Sequence, residues 1–175
     1  MRLRTLAAIS LTAIGALLLA GCSASSQSSS EYSAEDIAFA EMMIPHHEQA
    51  VEMTELALLN TSNPEILELA QQIKAAQGPE IELMKSWTGV NTSAHAGHTM
   101  DGMLSGGEIS NLRDAQGKEF DALFLEGMIK HHEGAIEMAQ ATVSSENQSV
   151  AELSASIIES QKLEISKMKE LLAKN

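Results

Sequence analysis

Cysteine is almost absent from this sequence. Cys22 is the only cysteine among 175 residues, so a disulfide within the chain is excluded. Any soft metal that the protein binds must therefore be held without several thiolates. Aromatic residues are also scarce, at 3%, and the core must instead be filled by small aliphatic side chains and methionine.

Basic residues are in short supply as well. Lys and Arg number 11 against 24 Asp and Glu, and the formal net charge is −13 at pH 7. Such an acidic surface argues against nucleic acid and against anionic lipid as direct partners. The sequence also lacks a Ser-His-Asp set, a phosphate-binding loop and a nucleotide fingerprint. No segment shows the alternation typical of strands, which predicts an all-α fold.

The first residues predict export from the cytoplasm. Two arginines precede an almost unbroken apolar run that ends at Ala20, which is the layout of a secretory signal. The run leads into Leu-Ala-Gly-Cys22, which resembles the bacterial lipobox and implies cleavage before Cys22 with lipid on its sulfur. We expect residues 1–21 to be a lipoprotein signal peptide. The serine-rich residues 22–33 would then tether an extracytoplasmic domain to a bacterial cell membrane. The alternatives are a plain signal peptide and a retained transmembrane helix.

One stretch of the chain occurs twice. Phe39–Met53 reads FAEMMIPHHEQAVEM, and Phe124–Met138 reads FLEGMIKHHEGAIEM, with ten of fifteen positions identical at an offset of 85. A second correspondence, at an offset of 84, relates residues 69–85 to residues 153–169. The two halves of the chain therefore follow the same plan.

Apolar residues recur at three- and four-residue steps in both halves, which predicts amphipathic helices. We expect helices from a Ser33 cap to about residue 60, from Pro64 to about Trp87, over about 118–143 and over about 150–174, with a short helical piece near 108–116. Gly78-Pro79 is expected to interrupt the second of these helices. Two hairpins that each expose an apolar face would form a four-helix bundle with a pseudo-twofold axis. The predicted domain, 34–175, divides into repeat 1 (34–88), a linker (89–107) and repeat 2 (108–175).

The histidines and most of the methionines cluster on the repeat. At 100° per residue, Met43 lies one turn before His47 on the inward stripe, and Met128 is placed in the same way before His132. His46 lies on the adjoining stripe with Met53, and His131 lies there with Met138. Imidazole and thioether together suit Cu(I), and the imidazoles accommodate Cu(II). The alternative for the methionines is ordinary core packing.

A second candidate site lies in the linker. His95, His98, Met100 and Met103 are interspersed with small residues that would let two imidazoles and two thioethers wrap one ion. The alternative is an ordinary polar loop.

The carboxylates do not follow a di-iron pattern. Such a site needs Glu-x-x-His on two helices, and the residues three before each histidine are Met or Ile. Glu48, Glu52, Glu133 and Glu137 recur between the repeats, and we expect them to be solvated or to orient a histidine.

The motifs MIPHHEQAVEM and FDALFLEGMIKHHEGAIEMA resemble the ferritin-like family called domain of unknown function 305, over about Ser33 to the C-terminus. The resemblance implies a four-helix bundle, and characterised relatives are extracytoplasmic copper-binding proteins that use His and Met. Matched residue by residue, it implies a ligand set, which is Met43, His46, His47, Met53, Met128, His131, His132 and Met138.

The sequence as a whole predicts a membrane-anchored protein that sequesters copper or passes it on without catalysis, with Cu(I) favoured over Cu(II). Its expected partners are copper ions, the membrane through Cys22 and another copper-handling protein, and homo-oligomerisation stays open. The alternatives are a ferritin-like metal-dependent oxidoreductase and a structural or partner-binding lipoprotein without metal.

Overall fold

A computed structural model describes residues 31–95 and 97–175, and over those residues the chain forms helices without strands. The helices are α1 (Ala34–Asn60), α2 (Pro64–Lys85), α3 (Gly106–Asp114), α4 (Gly117–Gln140) and α5 (Gln148–Lys174). The predicted all-α class is confirmed. The predicted signal peptide, Cys22 and all but the last three residues of the tether lie outside the described residues. Within the described ranges no helix is long and apolar enough to cross a membrane.

The helix starts follow the side chains that cap them. Ser33 accepts a hydrogen bond from the Asp36 N–H, and the Asp36 carboxylate accepts one from the Ser33 N–H, which forms a capping box. Asn63 caps α2 with Pro64 as its first residue, where the missing proline N–H costs nothing. The prediction that Gly78-Pro79 interrupts this helix was wrong. α2 runs unbroken to Lys85 because buried residues on both sides of the pair hold it against the bundle.

The helices pair as two hairpins, α1 with α2 and α4 with α5, and α1 also packs against α4. The C-terminal half of α1 shares a core cluster with the N-terminal half of α4, so these two helices run antiparallel. The same cluster joins the start of α2 to the end of α5. The result is a four-helix bundle whose two hairpins are related by a pseudo-twofold axis.

The apolar core consists of two clusters at opposite ends of the bundle. The first apolar cluster contains buried apolar residues drawn from 50–57 of α1, 66–73 of α2, 120–128 of α4 and 165–171 of α5. The second apolar cluster contains buried apolar residues drawn from 39–44 of α1, 81–87 of α2 and the turn after it, 135–139 of α4 and 150–157 of α5. Between them every long helix carries polar side chains at the same level. We call these residues the central layer, and they are His46, His47, Gln77, Glu80, His131, His132, Gln161 and Glu164.

The connection between the hairpins must cross the whole bundle. α2 ends beside the second apolar cluster, whereas α4 begins beside the first. On the way, α3 places Ile109 and Leu112 in the first cluster, and the Asn60 amide donates hydrogen bonds to the carbonyls of Leu112 and Arg113. The connection therefore passes the level of the central layer.

Candidate metal centre

The four histidines of the repeat lie in the middle of the bundle, and each is 0% exposed. Imidazoles of different repeats meet there: the ring centroids of His46 and His131 are 3.8 Å apart, with 41° between the ring planes. Within each repeat the neighbouring rings are further apart, at 6.5 Å for His46 and His47 and 6.4 Å for His131 and His132. The pseudo-twofold axis thus joins one histidine of each pair into a single buried contact.

The other histidine of each pair is held by a carboxylate. Nε2 of His47 lies 2.8 Å from Oε2 of Glu80, and Nε2 of His132 lies 2.6 Å from Oε2 of Glu164. The carboxylate accepts a hydrogen bond from Nε2–H, and the lone pair of the neutral ring is then on Nδ1. In both rings this Nδ1 is buried and has no hydrogen-bond partner. The arrangement is that of a histidine oriented for a ligand at Nδ1.

Glu80 and Glu164 were not among the acidic residues that the sequence singled out. Those residues point to solvent instead, and three of them form surface ion pairs: Glu48 with Lys85 at 2.8 Å, Glu52 with Arg113 at 3.0 Å and Glu133 with Lys169 at 3.5 Å. The signal that could have found the partners is the second correspondence, because Glu80 and Glu164 match each other at its offset of 84.

His46 and His131 have no such partner. Both ring nitrogens of each are buried without a hydrogen bond. Burial, helped by the neighbouring His47, lowers the pKa of His46 from 6.5 to about 3. The Asp101 backbone opposes this shift to a smaller extent, although neither ring nitrogen of His46 makes a hydrogen bond. Burial and then the contact with His46 hold the pKa of His131 well below its ordinary value. Both imidazoles are therefore neutral at pH 7, with lone pairs free for a metal.

The candidate methionines lie on both sides of the central layer. Met43 is buried in the second apolar cluster, against which Met138 of α4 packs. Met53 and Met128 are buried in the first apolar cluster. Because α1 and α4 are antiparallel, each side of the layer receives one thioether from each repeat, and a soft ion at the layer would find sulfur on either side.

The linker candidates lie on one short segment. The rings of His95 and His98 are 5.7 Å apart, and the Met100 N–H donates a hydrogen bond of 3.4 Å to the Met103 sulfur. His98 is exposed, and the other three are partly buried. The structure brings the four side chains to the surface side of the connection but shows no closed donor set there.

The connection packs against the repeat through what we call the strap, residues 99–105. Gly102 has φ +85°, and a Cβ on it would lie 2.8 Å from the Lys130 carbonyl oxygen and 2.9 Å from Gly134 Cα. A Cβ on Gly134 would overlap the Asp101 carbonyl oxygen. The Gln49 amide donates to the Leu104 carbonyl (2.9 Å) and accepts from the Leu104 N–H (2.8 Å).

The strap accounts for two of the five positions at which the repeated stretches differ. Gln49 of repeat 1 corresponds to Gly134 of repeat 2, and Met42 corresponds to Gly127. Gln49 clamps the strap, Gly134 lets it approach α4, and a Cβ on Gly127 would already lie 3.1 Å from the Leu104 side chain. These two differences follow from the strap, which occurs once in the chain and packs against a bundle built from two repeats.

Among residues 31–95 and 97–175, no three His, Cys, Asp or Glu side chains are arranged around one ion position. The imidazoles of the central layer would therefore need donors of another kind to complete a site. Thioether sulfur is buried on both sides of them, so the residues present fit a soft ion better than they fit zinc.

The chain is similar to a known protein family and to solved structures. The model of the family described as "Domain of unknown function (DUF305)" matches residues 36–172. No curated protein matches the chain. The structure of a DUF305 protein from Streptomyces coelicolor is 31% identical, over 80% of this chain and 93% of that one, with a TM-score of 0.75.

Structures of a protein called CopM are also similar. Its Cu(II)-bound form is 35% identical over 79% of this chain and 96% of that chain, with a TM-score of 0.69. Its Cu(I)-bound form is 32% identical over the same shares, with a TM-score of 0.64. The family model covers most of the chain, and the DUF305 structure shares 31% of its residues over most of both chains: this chain belongs to the DUF305 family.

Proposed function

We propose that this protein binds copper in its central layer and sequesters the ion or passes it on outside the cytoplasm. The observation that carries the proposal is the buried contact between His46 and His131, whose four ring nitrogens have no protein partner. Buried polar atoms without partners are rare and costly in proteins, and a metal ion would take the lone pair of one nitrogen in each ring. Neutral imidazoles beside buried thioethers favour Cu(I) and accommodate Cu(II). The similarity to CopM, which has been crystallised with Cu(I) and with Cu(II), supports the same choice.

A competition titration of the purified protein with Cu(I) tests the proposal. Changing His46, His47, His131 and His132 together to Ala should abolish copper binding by the layer, because these side chains supply its nitrogen donors. The matched control is Glu48→Ala with Glu133→Ala, which alters the same two motifs at the surface and should leave the stoichiometry unchanged. Full copper binding by the fourfold variant would refute the central-layer site.

The linker residues would serve as a second, more exposed donor set. His95 and His98 lie just before the strap, and Met100 and Met103 lie within it. An ion captured there would be close to the part of α4 that the strap contacts. Changing all four to Ala should lower the copper stoichiometry and slow uptake, measured by stopped-flow mixing with a chromophoric Cu(I) chelator. Unchanged stoichiometry and rate would reduce this segment to an ordinary polar loop.

Copper handling without catalysis is part of the same proposal. The four histidines of the layer are enclosed by protein, each 0% exposed, and a turnover site would need access for a second substrate. Copper-loaded protein should neither consume oxygen nor turn over peroxide above the level of free copper. Sustained turnover that disappears with His46→Ala would favour an oxidoreductase instead.

Anchoring to a membrane rests on the lipobox-like residues that end at Cys22. Labelled fatty acid should be incorporated into the protein in bacterial cells, and Cys22→Ala should abolish the labelling and release the protein from the membrane fraction.

A further inference from the structure

Two glutamines lie where the inward faces of α2 and α5 carry aliphatic side chains elsewhere. Gln77 falls between Ile73 and Ile81, one turn from each, and Gln161 falls between Ile157 and Ile165 in the same way. Both glutamines are only 2% exposed. They match each other at the offset of 84 that relates the two helices. A glutamine therefore replaces the expected aliphatic residue at the equivalent position of both helices.

That place is the central layer. Gln77 precedes Glu80 by three residues, or about 4.5 Å along the helix axis, and Glu80 holds His47. Gln161 stands in the same relation to Glu164, which holds His132. The apolar residues on either side of each glutamine belong to different core clusters. Each amide therefore lies at the level of the histidines, between the two clusters.

Neither amide is satisfied by the protein. Both polar atoms of Gln77 and Oε1 of Gln161 are buried without a hydrogen-bond partner. An unpaired buried amide destabilises a fold, whereas an apolar residue of similar size at the same place does not. Each glutamine thus leaves an amide oxygen unpaired in a layer that already holds unpaired imidazole nitrogens. This indicates a ligand that accepts lone pairs from both oxygens and from the rings.

We propose that the amide oxygens of Gln77 and Gln161 are metal-facing donors of the central layer and that they enable it to hold Cu(II) as well as Cu(I). The inference rests on the proposed copper binding. Thioether sulfur stabilises Cu(I), whereas Cu(II) prefers nitrogen and oxygen donors. The histidines supply nitrogen, and a neutral amide oxygen supplies the harder donor without adding a buried charge.

The test compares both oxidation states in the variant Gln77→Leu with Gln161→Leu. Cu(II) affinity should fall by about tenfold or more, with a changed hyperfine pattern in the electron paramagnetic resonance spectrum, because the oxygen donors are lost. Cu(I) affinity should stay within about twofold of the parent value, because histidine and methionine remain. The metal-free variant should unfold at a higher urea concentration, since the unpaired amides are gone.

Two further variants complete the experiment. Gln77→Glu with Gln161→Glu keeps an oxygen donor at each place and should retain Cu(II) binding. Gln71→Leu with Gln140→Leu makes the same change at exposed positions and should alter neither affinity nor spectrum. A Leu variant with the parent's Cu(II) affinity and spectrum would overturn the inference, and so would an equal loss of Cu(I) and Cu(II). Failure of the parent protein to bind either ion would instead contradict the proposed function.

Discussion

The buried imidazoles of His46 and His131 make the metal-free protein sensitive to acid. Burial lowers the pKa of His46 from 6.5 to about 3 and lowers that of His131 in the same direction. Between pH 6.5 and about 3 the unfolded chain binds more protons than the folded chain. The free energy of unfolding therefore decreases as the pH falls below about 6.5. Each such group contributes a slope of up to about 1.4 kcal/mol per pH unit. Urea unfolding of the metal-free protein at pH values from about 7.5 to about 5 should show this decline.

Matched variants assign the slope to these residues. His46→Leu with His131→Leu should make the free energy of unfolding depend less on pH, because the two histidines with lowered pKa values are then absent. His95→Ala with His98→Ala, which alters the other histidine pair, should leave it unchanged. An undiminished slope in the Leu variant would show that other groups carry the acid sensitivity.

At the level of single residues, the sequence predicted which histidines would form the candidate site, but not which carboxylates would contact them. The repeated His-His-Glu motif identified the four buried histidines, since two adjacent histidines at equivalent places are hard to explain as packing. Which carboxylate would hold a histidine could not be read from helical phase within one helix. Glu80 reaches His47 from the neighbouring helix, and that contact depends on how two helices dock.

At the level of elements, the helix starts follow local chemistry and the path of the connection does not. Ser33 and Asn63 predict the starts of their helices, because each cap forms between residues that are close in sequence. The predicted end of the third long helix, at residue 143, lies three residues beyond the observed Gln140. There the Thr142 hydroxyl pairs with that of Ser154 on α5 at 2.8 Å, a tertiary contact that the sequence pattern does not contain.

The contact between the strap and α4 predicts opposite effects for two glycines. Gly134→Ala should destabilise the protein by about 1–3 kcal/mol, because the new Cβ overlaps the Asp101 carbonyl and the strap must shift. Gly78→Ala should stabilise it by up to about 1 kcal/mol, because Gly78 lies within α2 with nothing near its Cβ position. Urea unfolding of the two variants measures both effects.

Gly78→Ala is also the control for Gly134→Ala, since both variants replace a glycine by alanine within a helix. Hydrogen exchange at the Leu104 N–H, which is bonded to Gln49, should accelerate in Gly134→Ala and stay unchanged in Gly78→Ala. Equal stability changes in the two variants would mean that the strap moves to accommodate the new Cβ without a cost in free energy.

At the level of the whole molecule, the internal repeat predicted two hairpins and their pseudo-twofold relation. It did not predict which histidines would meet. Helical phase placed His47 and His132 on the inward stripe, whereas the residues in contact across the axis are His46 and His131. All four histidines are buried because each long helix of the motif packs on two neighbours, its hairpin partner and the other motif helix.

The crossing of the bundle by the connection also bears on the order of folding. Each hairpin joins segments that are close in sequence, so its loop-closure entropy is small and it can form early. The strap contacts Gln49 and Gly134, which lie in different hairpins, so it docks only after both have assembled. Contacts formed after the transition state affect unfolding rather than folding. Stopped-flow measurements on Gly134→Ala should therefore show faster unfolding with an unchanged refolding rate, and slower refolding would place the strap in the folding nucleus.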